Sequence, residues 1–226
     1  LPKQQNNLLI YGCVGIVVDM HTHDDAQAVF DQPFWDNLYS ERPNIWSGHA
    51  NQVLITEASK LTPGSALDVG SGEGADAFWL ADNGWKTTGA DISPIALERA
   101  RQAQGGRTVA WLHRDLTEWA PPATSFDLVS AHFFHLRPAQ FQPAVLRFGD
   151  AVTSGGHLLI VGHSPSDALA SQHGHAEILF TADEVTALFP TEEWSVVVAE
   201  DRARIGTTPE GEQVERVDAV VLLRKL

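Results

Sequence analysis

Cysteine is almost missing from this chain: Cys13 is the only one in 226 residues. One thiol excludes an internal disulfide, a cysteine-built zinc site and multi-thiol chemistry such as arsenic handling, and it favours a reducing, cytoplasmic setting. Basic side chains are scarce too, 15 against 29 acidic, for a formal net charge of −14. A field of that sign repels phosphate backbones and anionic lipid, so neither nucleic acid nor a membrane is an expected partner. Long hydrophobic runs are lacking: the most apolar stretch, "LLIYGCVGIVV" at 8–18, is too short to span a bilayer. It loosely has the look of a signal-peptide core behind Lys3, but no small-residue cleavage pattern follows it. Methionine occurs once, at Met20. Met20 is therefore expected to be the native start and residues 1–19 an upstream extension, with 1–30 outside the folded domain.

With 43% hydrophobic and 19% charged residues, the rest of the chain has the composition of a folded globular protein. Residues 31–226 are expected to form a single domain. From residue 65 onward short β-branched runs alternate with longer helical patterns, the signature of a parallel sheet covered by helices. "SALDVG" (65–70), "KTTGADIS" (86–93), "RTVAWLHRD" (107–115) and "SFDLVSAHFF" (125–134) read as the first four strands. "HLLIVGHS" (157–164) reads as the fifth, its unbroken apolar run suiting burial on both faces. Helices are expected after Gly74, from Pro94 with Ser93 as N-cap, over 138–151, and after Thr181 with Glu184 three residues on. "WSVVVAE" and "RVDAVVLLRKL" have no room between them for a crossover helix, so they should close the sheet as an antiparallel hairpin. Residues 31–62 read as two helices laid against this 65–226 core.

The most informative stretch is "LDVGSGEGADAFW" (67–79). Gly70-Ser71-Gly72-Glu73-Gly74-Ala75 formally satisfies the dinucleotide pattern G-x-G-x-x-G/A, whereas the missing Gly-Lys-Ser/Thr excludes a P-loop. A pyrophosphate would have to sit at the helix N-terminus, and Glu73 in that loop and Asp68 just before it oppose an anion there. A cationic, phosphate-free nucleoside reverses the sign. S-adenosylmethionine, with its sulfonium and ammonium, is such a ligand. Asp91, ending the second strand, is placed to accept ribose hydroxyls, and Asp115, ending the third, to accept from an adenine amino group.

These residues resemble the class I S-adenosylmethionine-dependent methyltransferases. "LDVGSGEG", "GADIS", "RDL", "FDLVSAHFFHL" and "GGHLLIVGH" carry the resemblance over most of 65–162. It implies an α/β, Rossmann-like seven-stranded sheet of order 3-2-1-4-5-7-6, strand seven antiparallel, with helices on both faces. It also implies S-adenosylmethionine as cofactor, held by Trp46, Asp68, Gly70, Ser71, Gly72, Glu73, Gly74, Asp91, Ile92, Asp115, Leu116, Ala131 and His132. "FWDNLYSERPNIWSGHANQVL" is most similar to small-molecule methyltransferases of the tellurite-resistance and thiopurine type, which makes the expected partner a small-molecule methyl acceptor. In-line displacement then needs mainly positioning.

His132 and His135 follow the fourth strand and are the candidate catalytic bases, His132 first; His163, after the fifth, is similarly placed. Trp35, Tyr39 and Trp46 either pack the N-terminal helices or line the ligand site. Residues 163–178 form a candidate lid. His21, His23, His173 and His175 sit in pairs two apart without a third ligand, so no metal site is expected. An NAD-dependent oxidoreductase and a non-catalytic S-adenosylmethionine-binding protein remain the alternatives.

Overall fold

A computed structural model describes residues 7–11, 15–19, 30–42, 45–172, 176–207 and 212–226. Met20, His21, His23, His173 and His175 lie outside these described residues. The apolar N-terminal stretch forms two strands, β1 (Asn7–Tyr11) and β2 (Gly15–Asp19), paired antiparallel as a separate two-stranded sheet.

The main sheet contains β3 (Ser65–Val69), β4 (Lys86–Asp91), β5 (Val109–His113), β6 (Phe126–His132), β7 (Val152–His163), β8 (Trp194–Thr207) and β9 (Gln213–Lys225). Their spatial order is β5-β4-β3-β6-β7-β9-β8. Counting only these seven, that is 3-2-1-4-5-7-6, with β9 antiparallel to both β7 and β8. The expected architecture is present.

The helices follow their signals. Pro94 at the first position and the Ser93 hydroxyl, accepting from the Ala96 amide, start α4 (Pro94–Ala103). Thr181 and Glu184 form a reciprocal capping box at α7 (Ala182–Thr186). The remaining helices are α1 (Gln32–Glu41), α2 (Gln52–Ala58), α3 (Ala75–Asp82), α5 (Pro138–Asp150) and α6 (Ala168–Gln172). Some boundaries differ from expectation: β8 runs on to Thr207 and β9 starts already at Gln213, so the closing hairpin is longer than "WSVVVAE" and "RVDAVVLLRKL" suggest, and "TSGG" (153–156) lies inside β7 rather than before it. Gly155 at φ +80° and a register shift opposite Phe126 and Leu128 let the strand start early through an irregularity.

The alternation of side chains along β7 explains its apolar run. Leu158 and Ile160 enter a core with Phe141, Val145 and Phe148 of α5 and Val185 of α7. Leu159 and Val161 face the opposite way, against Val53 and Leu54 of α2 and Leu80 of α3. Each of these fully buried side chains contributes on the order of 1.5–3 kcal/mol of transfer free energy, so the sheet is sandwiched from both sides. A smaller cluster of Leu38, Tyr39, Ile45 and Ala96 fastens α1 and the following loop onto α4. That cluster sets the N-terminal cover over the ends of β3 and β4.

Candidate functional site

In open α/β sheets ligands bind beyond the carboxyl ends of the strands, where the strand order reverses. Here the reversal lies between β3 and β6, and a cleft of about 1480 Å³ opens there. Its floor is the glycine loop. Gly70, Gly72 and Gly74 all have positive φ, at 71°, 51° and 90°. The Gly70 and Ser71 amides donate to the Ala90 carbonyl, which ties the loop to β4. A Cβ on Gly74 would stand 2.7 Å from the Trp111 ring, and one on Gly72 2.9 Å from the Tyr39 hydroxyl. At both positions the protein itself fills the space that a side chain would need. At Gly70 the nearest atom, in the Phe134 ring, would be 3.8 Å away, an ordinary van der Waals contact, so no protein atom excludes a side chain there.

Three carboxylates are buried around the loop. Asp91 accepts from the Gly72 amide through Oδ2 and from the Ser93 amide through Oδ1, each at 2.8 Å. Asp76 accepts from the Asn51 amide and side chain, both at 2.7 Å. Asp68 Oδ2 is shielded from solvent and has no hydrogen-bond partner among the described residues. Burial, then the neighbouring charges of Asp76 and Asp91, push the Asp68 carboxyl well above its ordinary value. Burial raises Asp91 as well, against the pull of its backbone bonds. The Ser71 hydroxyl and both ring nitrogens of His132 are likewise shielded and without partners among the described residues. Buried polar atoms are normally satisfied, so this group of orphans along one cleft marks where a polar ligand belongs.

Glu73 has a different role from the one its charge suggests. Its Oε1 lies 2.9 Å from Nη1 of Arg99, and its Oε2 accepts from the Trp46 amide. Arg99 also donates to the carbonyls of Tyr39 and Arg42. Glu73 is therefore an ion-paired latch between the loop, α4 and the N-terminal cover, and its charge is largely cancelled. The acid that opposes pyrophosphate comes instead from Asp68, Asp76 and Asp91.

The cleft is also lined by Trp46, Ile92, Leu116 and Asp115. Trp46 donates its ring N–H to the Tyr39 hydroxyl at 2.9 Å. Burial and the Asp91 charge push the Tyr39 phenol well above its ordinary value, so it stays neutral. Asp115 is exposed at the rim, and its Oδ1 accepts from the amide and hydroxyl of Thr117. Ala131 departs from expectation. Its side chain is buried in the core on the α5 face and does not line the cleft, because alternation along β6 turns it inward.

His132, His135 and His163 also line the cleft. Burial holds His132 below the ordinary histidine value, although Asp76 and Asp218 pull it up. Burial and then the adjacent His163 push His135 down to about 3. The His135 and His163 rings stack with centroids 5.0 Å apart. His163 Nδ1 lies 3.1 Å from Oδ1 of Asp218, and Asp218 in turn accepts from Arg204. Arg216, buried beside them, donates through Nε to Asp167 at 2.7 Å. The connection after β7, with residues 163–178 expected as a lid, brings Ala170 and Ile178 to the lining of the cleft, and Leu179 follows them there.

Sequence reasoning missed Asp76, Arg99, Asp167, Arg204, Arg216 and Asp218. Two of them carried a signal: Arg216 and Asp218 interrupt an otherwise buried strand, "RVDAVVLL", and a charge there needs a partner. Arg99 carried none, since a helix residue pairing with a loop 26 positions away leaves no local pattern.

Known proteins resemble this chain. A family model described as a methyltransferase domain matches residues 66–156. The uncharacterized methyltransferases Rv0089 of Mycobacterium tuberculosis and Mb0092 of Mycobacterium bovis are each 35% identical over 133 residues, 58% of this chain and 61% of theirs. The chain thus spans about 61% of the length of the curated relatives it matches. Among solved structures, TehB from Haemophilus influenzae superposes with a TM-score of 0.65 at 16% identity, covering 84% of this chain and 67% of that one. The N-methyltransferase NodS from Bradyrhizobium japonicum, in complex with S-adenosyl-L-homocysteine, gives 0.58 at 23% identity, covering 89% and 93%. At such identities the likeness is one of fold.

Proposed function

We propose that this chain is a class I S-adenosylmethionine-dependent methyltransferase, a reading supported by its match to a methyltransferase-domain family over residues 66–156 and its 35% identity to methyltransferases over 133 residues, and that it transfers a methyl group from S-adenosylmethionine to a small-molecule acceptor. The observation that carries the reading is the set of three buried carboxylates, Asp68, Asp76 and Asp91, around a glycine loop with positive φ. Desolvated acids that are crowded together cost stability unless a cation joins them. The ammonium and sulfonium of S-adenosylmethionine would relieve that cost, whereas a dinucleotide pyrophosphate would add to it.

The residues fit the cofactor in kind. Asp68 and Asp76 would receive the ammonium, Asp91 the ribose hydroxyls, and Asp115 with Ile92 and Leu116 the adenine. Gly70 leaves the backbone open to close approach. The bound cofactor supplies an electrophilic methyl on a positively charged sulfur. The chain's remaining task is to hold an acceptor in line and keep water out, and positioning of this kind supplies much of the barrier reduction. Phe133, Phe134, Ile178 and Leu179 line the cleft and provide an apolar wall, which supports a small organic acceptor rather than a polymer. The net charge of −14 supports neither nucleic acid nor membrane as partner. The single cysteine supports a cytoplasmic site of action. Among the described residues no helix is long and apolar enough to cross a membrane.

Equilibrium titration with S-adenosylmethionine, S-adenosylhomocysteine and NAD tests the reading. Binding of the first two without NAD is the expected result. Binding of NAD alone would replace it with an oxidoreductase, and cofactor binding without turnover on any acceptor would leave a sensor.

A further inference from the structure

We infer that the side chain of His132 touches the methyl acceptor and takes its proton, and that the acceptor is a small, uncharged hydroxyl compound with an apolar body. The inference rests on the methyl-transfer reading of the same cleft.

His132 ends β6 and lines the cleft. Alternation along β6 puts Ser130 and His132 on the same face as Leu128, the face that α2 and α3 cover. Asp68 of β3 is the register partner of Ser130. Val161 of β7 is the register partner of His132, and His163 follows two residues later. Asp68, Ser130, His132 and His163 thus form a polar row across the ends of three neighbouring strands. His132 is set apart within it. Asp218 lies 3.1 Å from a ring nitrogen of His163, whereas neither ring nitrogen of the buried His132 has a hydrogen-bond partner among the described residues. A desolvated imidazole without partners costs stability unless a ligand supplies them.

The backbone beside it is strained. Phe133 has a φ of 53°, a conformation that bulky residues rarely adopt. Its amide donates to the Val161 carbonyl at 2.7 Å, which holds the end of β6 in that shape. Strain and orphaned polar atoms at consecutive positions of a cleft wall persist where a side chain is held ready for a ligand.

The charged and titratable groups around His132 are Asp76 from α3 and Asp218 from β9, with Asp68 and His163 on its own face of the sheet. Burial holds the imidazole below the ordinary histidine value against the pull of Asp76 and Asp218, so at neutral pH it is an uncharged, weak base. A base of that strength does not strip the proton from an alkylammonium, which then has no electron pair to offer. The neighbouring carboxylates oppose an anionic acceptor. A hydroxyl meets both conditions. It enters uncharged, and its O–H becomes strongly acidic as oxygen bonds to the methyl carbon, so the proton can leave late to a weak base. Phe133, Phe134, Ile178 and Leu179 line the cleft for the apolar body.

The step balances as follows. The acceptor's O–H bond breaks and its proton passes to the unprotonated ring nitrogen of His132. An oxygen electron pair forms the bond to the methyl carbon, and the pair of the broken carbon–sulfur bond stays on sulfur. The imidazolium then returns the proton to water.

The test uses phenol as the probe. In nitrogen NMR of the histidine-labelled protein loaded with S-adenosylhomocysteine, phenol should move the ring-nitrogen resonances of His132. Their loss in His132→Gln, or in His132→Asn should the first variant not fold, assigns them. In turnover with saturating S-adenosylmethionine, His132→Gln should lower kcat on phenol by about 100-fold or more, with KM for phenol changed less than about threefold. The kcat of the unchanged protein should fall as pH drops below the ordinary histidine value, because protonation removes the base, and the variant should lack that fall. Unmoved His132 resonances, an intact acid limb in the variant, no methylation of phenol, or faster methylation of benzylamine would overturn the inference while S-adenosylhomocysteine binding still upheld the cofactor site. Failure of the unchanged protein to bind S-adenosylhomocysteine would overturn both.

Discussion

The guanidinium of Arg99 on α4 grips the carboxylate of Glu73 in the glycine loop at 2.9 Å, and the same side chain holds the carbonyls of Tyr39 and Arg42. One residue thereby joins the cofactor loop to the N-terminal cover. The pair is partly exposed, with about a quarter of Arg99 and a fifth of Glu73 accessible, so solvent screens it.

Arg99→Ala should therefore lower stability by roughly 1–3 kcal/mol, mostly through the lost carbonyl bonds, and loosen the cover. Urea denaturation measures the total, and a double-mutant cycle with Glu73→Gln isolates the ion pair, expected at about 1 kcal/mol or less. A coupling near zero together with unchanged stability would remove the latch.

The two glycines at the ends of the loop should respond differently to alanine. Gly74→Ala meets the Trp111 ring at 2.7 Å in addition to a φ of 90°, and should destabilise the protein by about 2 kcal/mol or more. Gly70→Ala meets nothing closer than 3.8 Å, so only the φ penalty of about 1 kcal/mol applies. Its larger effect should be on S-adenosylhomocysteine affinity, read by calorimetry, because the added methyl faces the cleft.

Asp68→Asn should raise the stability of the ligand-free protein at neutral pH while weakening S-adenosylmethionine binding about 10–100-fold. The sign follows from its raised carboxyl. The folded state binds the proton more tightly than the unfolded state, so stability falls as pH rises from the ordinary aspartate value toward the folded one. Thermal melts across that range should show a shallower fall in the variant. A steeper fall would contradict the assignment of cost to Asp68.

His135 works in the opposite direction. Its value is lowered from 6.5 to about 3, so between those limits the unfolded chain takes up a proton that the folded chain refuses. Its contribution to stability is complete above about pH 6.5 and is lost as pH falls toward 3. His135→Phe should reduce the acid sensitivity of the denaturation midpoint over that window, by an amount on the order of a few kcal/mol at its lower end. Unchanged acid sensitivity would show that the ring is free to charge.

Much of the fold was legible because its signals are local. Ser93-Pro94 and Thr181 with Glu184 start helices through bonds made within one turn, and a run such as "HLLIVGH" suits burial on both faces. The short linker between the last two strands forced a hairpin. The boundary of β7 was missed because Gly155 looks like a turn residue when only its neighbours are considered; pairing with β6 draws it into the strand instead. Most candidate ligand positions also reached the cleft, since strand ends converge at one edge of a parallel sheet. Ala131 did not, because alternation along β6 points its side chain at α5.

The sequence by itself determined the α/β class, the glycine loop and the acids at the strand ends, all of which depend on short spacings along the chain. Tertiary structure alone decided what those charges do. Folding paired Glu73 with Arg99, left Asp68, Asp76 and Asp91 as the uncompensated acids, and set His163 against Asp218 through strand register. An electrostatic role is fixed by distance and desolvation in three dimensions, and no count of charges along the chain contains either quantity.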